Sequence, residues 1–177
     1  LQLSEGSADR LTRTMVWERA LRGLDKSVRA RIVSREPSVF GAWFRLAELM
    51  RKLHGDLATE GLSFGDVLKV EFGEDNAGER ARWEALAEAQ ESYRAELKAL
   101  GLSDPHEARW AALRAGELDL QRRVVLVGVA DPNAIVRAVV ARQTRSQAYC
   151  FKSLQHCNIR FIVIRNFYIL IFLHIVP

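Results

Sequence analysis

The chain has 177 residues, long enough for one domain with a real hydrophobic core, and carries a formal charge of +4. That excess does not describe its main body, because residues 1–143 hold 22 acidic and 22 basic side chains and the surplus is Arg145, Lys152, Arg160 and Arg165. The basic pI is therefore no ground for reading the body as a nucleic-acid-binding domain, and nothing at its start resembles a secretory signal.

The first expected element is a helix capped by Ser7, carrying Leu11, Met15 and Leu21 and ending near Gly23. After Arg35-Glu36-Pro37 a second long helix carries Phe40, Trp43, Phe44, Ala47, Met50, Leu53 and Leu57. Those apolar positions recur at steps of three and four residues, which builds one face, and Gly61 fits the stop. Gly55 weakens that helix, since an interior glycine costs about 1 kcal/mol against alanine. His54, at the edge of the stripe, reads as a packed histidine rather than a ligand. "SFGDVLKVEF", from Ser63, predicts a short helix with a Ser63/Asp66 cap before a turn at Gly73.

The third long helix is the clearest. Trp83, Leu86, Gln90, Tyr93, Leu97 and Leu100 form a narrow seam of the coiled-coil kind, closed by Gly101. Packing within the chain is the expected use of that seam, with a partner helix as the alternative. Gln90 interrupts it, and if buried must find a hydrogen-bonding partner. "SDPHEARWAALRAG" then gives a helix with Asp104 at the N-cap, Pro105 in the first position, Glu107 in the first turn and Gly116 at the stop. Trp110, Ala112 and Leu113 are expected to face a core. Arg13, Arg80 and Arg82 read as solvated helix-face charges.

"RRVVLVGVADPNAIVRAVVA", residues 122–141, has the form of a buried strand, Val124 to Val127, feeding a helix through Asp131-Pro132-Asn133. A parallel strand leading into a helix is a common place for nucleotide chemistry, yet Gly128 and Val129 stand at the strand's end. Asp131 is read as the cap of the next helix, with Pro132 in its first position. A lone strand cannot bury both faces, so the body reads as part of a larger α/β domain. The chain opens on Leu1 rather than Met, which agrees with a piece of a longer protein.

The order of these features resembles superfamily 1 DNA helicases of the UvrD type: a long helix with Trp and Tyr, then "LKALGLSD", a helix, and a strand ending in a DPN turn. More specifically, "RWEALAEAQESYRAELKALGLSDPHEARWAALRAGELDLQRRVVLVGVAD" resembles the AddB-type subunit of bacterial helicase–nuclease complexes, a PD-(D/E)XK nuclease family with an inactivated helicase region. The likeness covers most of residues 10–141 and is firmest from Trp83 onward. It implies an α/β, predominantly helical fold, a piece of a RecA-like helicase core (1A) with its helical 1B insertion. Residues 1–121 would be the 1B-like region and 122–143 the strand–helix unit of the core. A working helicase needs carboxylates at the strand end to hold Mg²⁺ and position water. Gly128 and Val129, at the matching places, supply no charge, and Asp131 lies two to three residues further on. The resemblance thus implies a non-catalytic scaffold in the processing of DNA double-strand-break ends, with DNA and an AddA-type helicase subunit as partners. It carries over no catalytic residue, cofactor or metal to this segment.

The composition changes near Thr144. Residues 144–177 have no acidic residue, no glycine and one alanine (Ala148), but six isoleucines. This aberrant or hydrophobic tail resembles translation through a different frame or past a natural stop; the alternative is a C-terminal anchor. About a dozen apolar residues between Phe161 and Val176 at about −0.3 to −0.6 kcal/mol each give roughly −4 to −7 kcal/mol, and Arg165 alone costs up to about +3. The stretch is also shorter than the roughly 20 residues of a spanning helix. A membrane is therefore not an expected partner. Cys150 and Cys157 lack zinc-site spacing and read as incidental thiols, with a reducing cytoplasm the default compartment. Two other functions stay open: a helical interaction module using the Trp83–Leu100 seam, and a membrane-tethered protein.

Overall fold

A computed structural model describes residues 6–70, 72, 76–117, 132–145, 149–153, 159–164 and 167–172. The architecture is predominantly helical, with α1 Arg10–Gly23, α2 Lys26–Ile32, α3 Phe40–Thr59, α4 Phe64–Val67, α5 Ala77–Ala99, α6 Pro105–Ala115 and α7 Ala134–Arg145. Three strands follow, β1 Tyr149–Ser153, β2 Ile159–Ile164 and β3 Phe167–Phe172. Two compact units make up the chain, Leu1–Ala111 and Ala112–Pro177.

In the first unit α1 lies against both α3 and α5, and α5 also takes α2 and α4. The organising side chain is Trp17, fully buried, its ring stacked on Tyr93 of α5 at 4.4 Å between centroids and 9° between planes. Phe64 of α4 stands 6.0 Å from Trp17 and meets Trp83 edge-on at 5.9 Å. Leu21, Ala47, Leu86, Ala89 and Leu97 fill the space between them.

The seam on α5 is consumed here: Leu86, Gln90, Tyr93 and Leu97 are all buried, while Leu100 at its end is exposed. On α1 the buried face is Thr14, Val16, Trp17, Ala20 and Leu21, and the expected Leu11 and Met15 lie in solvent. Trp17 settles that rotation, because an indole offers far more apolar area than a leucine or methionine. The cap also differs from expectation. Asp9 accepts from the Thr12 N–H at 2.7 Å, while Ser7 pairs as an extended bridge with Ser103. Ala8 N–H donates to the Ser103 carbonyl at 3.0 Å and Ser103 N–H to the Gly6 carbonyl at 2.9 Å, tying the chain start to the α5–α6 turn.

Helices α3 and α5 follow their apolar spacing, and α4 carries the expected capping box between Ser63 and Asp66. Gly61 stops α3 at φ +77°, and a Cβ there would meet the Trp110 ring at 3.1 Å. Trp110 holds this corner by donating from Nε1 to the Ala58 carbonyl at 2.7 Å. At Gly55 a Cβ would lie 3.4 Å from His106 Nε2, an ordinary van der Waals contact.

In the second unit Leu113 is buried, and its carbonyl accepts from the Arg142 guanidinium of α7. Helix α7 begins at Ala134 with Asn133 as its cap, the Asn133 Oδ1 accepting from Val136 N–H at 3.2 Å. Pro132 therefore precedes the helix and does not open it, a correction to its expected first position, while Asp131 lies outside the described residues. Asn133 is the nearer polar side chain, and its reach of three residues is the usual geometry. β1, β2 and β3 run antiparallel in that order, Tyr149 opposite Ile164 and Ile164 opposite Phe167. Among the described residues no helix is long and apolar enough to cross a membrane.

Two glycine substitutions are expected to move stability in opposite directions. Gly61→Ala meets both a positive φ and the Trp110 ring, and should cost about 1–2 kcal/mol. Gly78→Ala, in the first turn of α5 with open space around its Cα, should gain about 0.5 kcal/mol. Urea denaturation at neutral pH measures both.

Candidate functional site

The strand expected at Val124–Val127, with Gly128, Val129 and Asp131, lies outside the described residues. Cys157 does as well, and Cys150 falls on β1. Two constellations are on view in the first unit: a buried polar chain in the core and an open cleft beside the α1–α2 corner.

The polar chain begins at Gln90. Its Oε1 accepts from the Phe64 backbone N–H at 3.0 Å, which leaves Nε2 to donate, and this it does to His54 Nδ1 at 2.7 Å. Because a backbone N–H must face an acceptor, the amide orientation and hence the His54 tautomer are fixed, with the imidazole proton on Nε2. That nitrogen faces Asp104 Oδ2 at 3.4 Å, a long contact rather than a full hydrogen bond. Tyr93 completes the chain, its hydroxyl donating to the same Oδ2 at 2.7 Å. The second carboxylate oxygen accepts from the His106 N–H at 2.8 Å and the Glu107 N–H at 3.4 Å, capping α6. Arg13 comes within 3.8 Å of Asp104 and is largely covered, so it is not the solvated charge its position suggested. Arg80 and Arg82 are exposed and pair with Glu84 and Glu79.

Burial by itself pushes the Asp104 carboxyl up, and the His54 contact, the Tyr93 hydroxyl and the His106 N–H outweigh it, holding the group well below the usual carboxylate range. Tyr93 is driven far above the ordinary phenol by burial and by the Asp104 charge. His106 is lowered by burial, against the pull of Asp104. His54, Gln90, Tyr93 and Asp104 are each within 2% of fully buried. No substrate touches groups so enclosed; the arrangement fixes α3, α4, α5 and α6 against one another.

The cleft is different. It measures about 350 Å³ and is lined by Arg22, Arg29, Glu36, Ser38 and Trp43. The Arg22 guanidinium lies over Trp43 at 5.5 Å and beside Phe40 at 5.9 Å, and bonds Glu18 at 2.6 Å. Arg29 acts as a strut: it donates to the carbonyls of Arg22 and Leu24 at the end of α1 and pairs with Glu36 at 3.1 Å. Phe40 and Val39, at the start of α3, are exposed. Phe40, expected on the core face of its helix, is thus a surface residue. An arginine so close in sequence to Gly23 and an aromatic after Pro37 gave no local sign of meeting.

Among the described residues no group of three or more His, Cys, Asp or Glu side chains is placed to hold a metal ion. No family model, no curated protein and no solved structure matches this chain.

Asp104→Ala removes a helix cap and strands the Tyr93 hydroxyl and His54 N–H in the core, and is expected to cost about 3 kcal/mol. The sign with pH follows from the depressed carboxyl. Its stabilisation is complete above the unfolded value of 3.8 and is lost as pH falls from there toward the folded value. Urea midpoints measured from pH 6 to pH 2.5 should drop more steeply for the natural protein than for Asp104→Asn. Parallel curves would show that Asp104 is not the group responsible.

Proposed function

We propose that the chain is a non-catalytic, helicase-like scaffold piece of an AddB-type helicase–nuclease, acting where DNA double-strand-break ends are processed. The observation that carries the reading is the Tyr93–Asp104 bond. The resemblance rests most firmly on the stretch from Trp83 through "LKALGLSD", and this stretch folds as one locked helix–turn–helix, with the tyrosine of α5 bound to the residue that caps α6. An insertion that must return the chain to a core in a fixed direction needs such a rigid turn.

In this reading residues 1–121 are the helical 1B-like region and residues 122–143 the returning strand and helix of the RecA-like core. Helix α7 supplies the helix that the unit requires. Gly128 and Val129 replace the acidic pair, so the strand keeps its packing role and binds no Mg²⁺ for ATP hydrolysis. DNA and an AddA-type helicase subunit are the partners this assigns. The competing reading, a module that docks other proteins through the Trp83–Leu100 seam, loses most of its surface because α1, α2 and α4 pack on α5 and Leu86, Gln90, Tyr93 and Leu97 are buried.

Fluorescence anisotropy with labelled duplex carrying a single-stranded end, run alongside an ATPase assay with Mg²⁺, tests the proposal on the 177-residue chain. The expected result is DNA binding in the micromolar range that weakens steeply with salt, with no ATP turnover above background. Magnesium-dependent ATP hydrolysis overturns it, as does failure to bind both DNA and an AddA-type subunit.

A further inference from the structure

The four-residue helix α4 is tied to the rest of the first unit through the Gln90 amide. One side of that amide, Oε1, accepts from the Phe64 N–H at 3.0 Å, and the other, Nε2, donates to His54 Nδ1 at 2.7 Å. The arrangement is satisfied only while Nδ1 carries no proton, since an amide nitrogen donates and does not accept. On the far side of the ring, His54 Nε2 is buried, makes no hydrogen bond and faces Asp104 Oδ2 at 3.4 Å. His54, Gln90 and Phe64 are at most 1% exposed, so bulk water does not stand in for a lost partner.

A proton added to His54 goes to Nδ1, the ring nitrogen without one, and two donors then face each other. Turning the Gln90 amide over does not remove the conflict. Oε1 would accept from the charged ring, and the amide NH2 would point at the Phe64 N–H, which is also a donor. The two donors compete for one carbonyl, and the charged one wins, because charge-assisted hydrogen bonds are roughly twice as strong as neutral ones. The Phe64 N–H is the group left stranded.

Charges from every neighbouring helix act on the ring. Asp104, at the start of α6, stays ionised and attracts a proton there. Opposing it are burial, Arg13 of α1 at 3.8 Å from the same carboxylate, and the His106 ring of α6 at 6.5 Å. Arg51, one turn earlier on α3, adds a further positive charge. From α5 the facing groups are Gln90 and the Tyr93 hydroxyl, which keeps its proton, and α4 presents the Phe64 ring. Histidine is the side chain whose charge ordinarily changes between about pH 5 and pH 8.

We propose that His54 is a pH-sensitive latch: neutral, it holds α4 to α3 and α5 through Gln90, and protonated, it takes the Gln90 carbonyl for itself and releases α4. Release draws Phe64 away from the Trp17 and Trp83 rings and uncovers the Trp83 end of the α5 seam. The latch is a property of the fold and operates whether or not the chain binds DNA.

Nuclear magnetic resonance on the full chain tests it from about pH 8 to about pH 5. The charge of the His54 ring is followed through its nitrogen resonances, and the Phe64 N–H through its hydrogen-exchange protection factor. As the ring takes up its proton, Phe64 protection should fall about 10- to 100-fold, as stranding one buried donor implies. The Ala89 N–H, within α5, should keep its protection. Gln90→Glu supplies two acceptor oxygens in place of one, so Phe64 should stay protected across the range. His106→Gln should leave the transition in place. A ring that stays neutral down to about pH 5, or that charges with no change at Phe64, overturns the latch, and both outcomes are read on the natural protein. Parallel loss at Ala89 would mean global unfolding, and a transition abolished by His106→Gln would belong to the other imidazole; either overturns it. Loss of Phe64 protection persisting in folded Gln90→Glu does the same.

Discussion

A single buried carboxylate sets the geometry of the first unit. Asp104 is charged, nearly inaccessible, and held by groups from three other helices as well as by the start of its own. Its cost of desolvation is large unless each lone pair finds a donor, so the donors must be delivered to one point. The donors are Tyr93 of α5 and the backbone N–H groups of α6, and His54 of α3 and Arg13 of α1 come up to the same carboxylate at 3.4 and 3.8 Å. Stacking of Trp17 on Tyr93 then closes the core over the polar chain. An apolar cluster of the same size would tolerate several packings; this one tolerates few, because a small rotation of α5 would lift the phenol off its acceptor.

That constraint explains where the sequence was legible. Helices with one strong apolar period, α3 and α5, were visible because their faces are long and regular. Gln90 announced itself as the exception in a hydrophobic seam, and its partners, the Phe64 N–H and His54, are what a buried amide must have. Gly61, Gly101 and Asp104 were visible because caps and stops follow short-range rules. What joins them was not visible. Tyr93 looked like one more apolar rung, and nothing in the local spacing says that its hydroxyl reaches the cap of the next helix, eleven residues on.

The misreadings share one cause, which is competition decided by tertiary packing. On α1, Leu11 and Met15 form a plausible i, i+4 pair, but Trp17 and Leu21 win the core by area and carry the helix round with them. Helix α2 was missed altogether, since "KSVRARI" has too few apolar positions to show a period; no residue of it is buried, and Val28 and Ile32 only lean on the core. It is held from outside its own sequence, by packing on α5 and by Arg29 clasping the end of α1. Ser7, Asp9, Asp131 and Asn133 are all competent caps by residue type, and only the position where each helix axis starts chooses between them.

The same division separates the two constellations by role. Groups in the polar chain are covered and costly to disturb, since all but the His54 Nε2 end of it is hydrogen-bonded. The cleft has the opposite character. Arg29 is tied into the corner by its guanidinium, Arg22 is half exposed, and the Phe40 ring beside Arg22 lies outside the core. The rigid first unit therefore gives the α1–α2 corner a fixed platform.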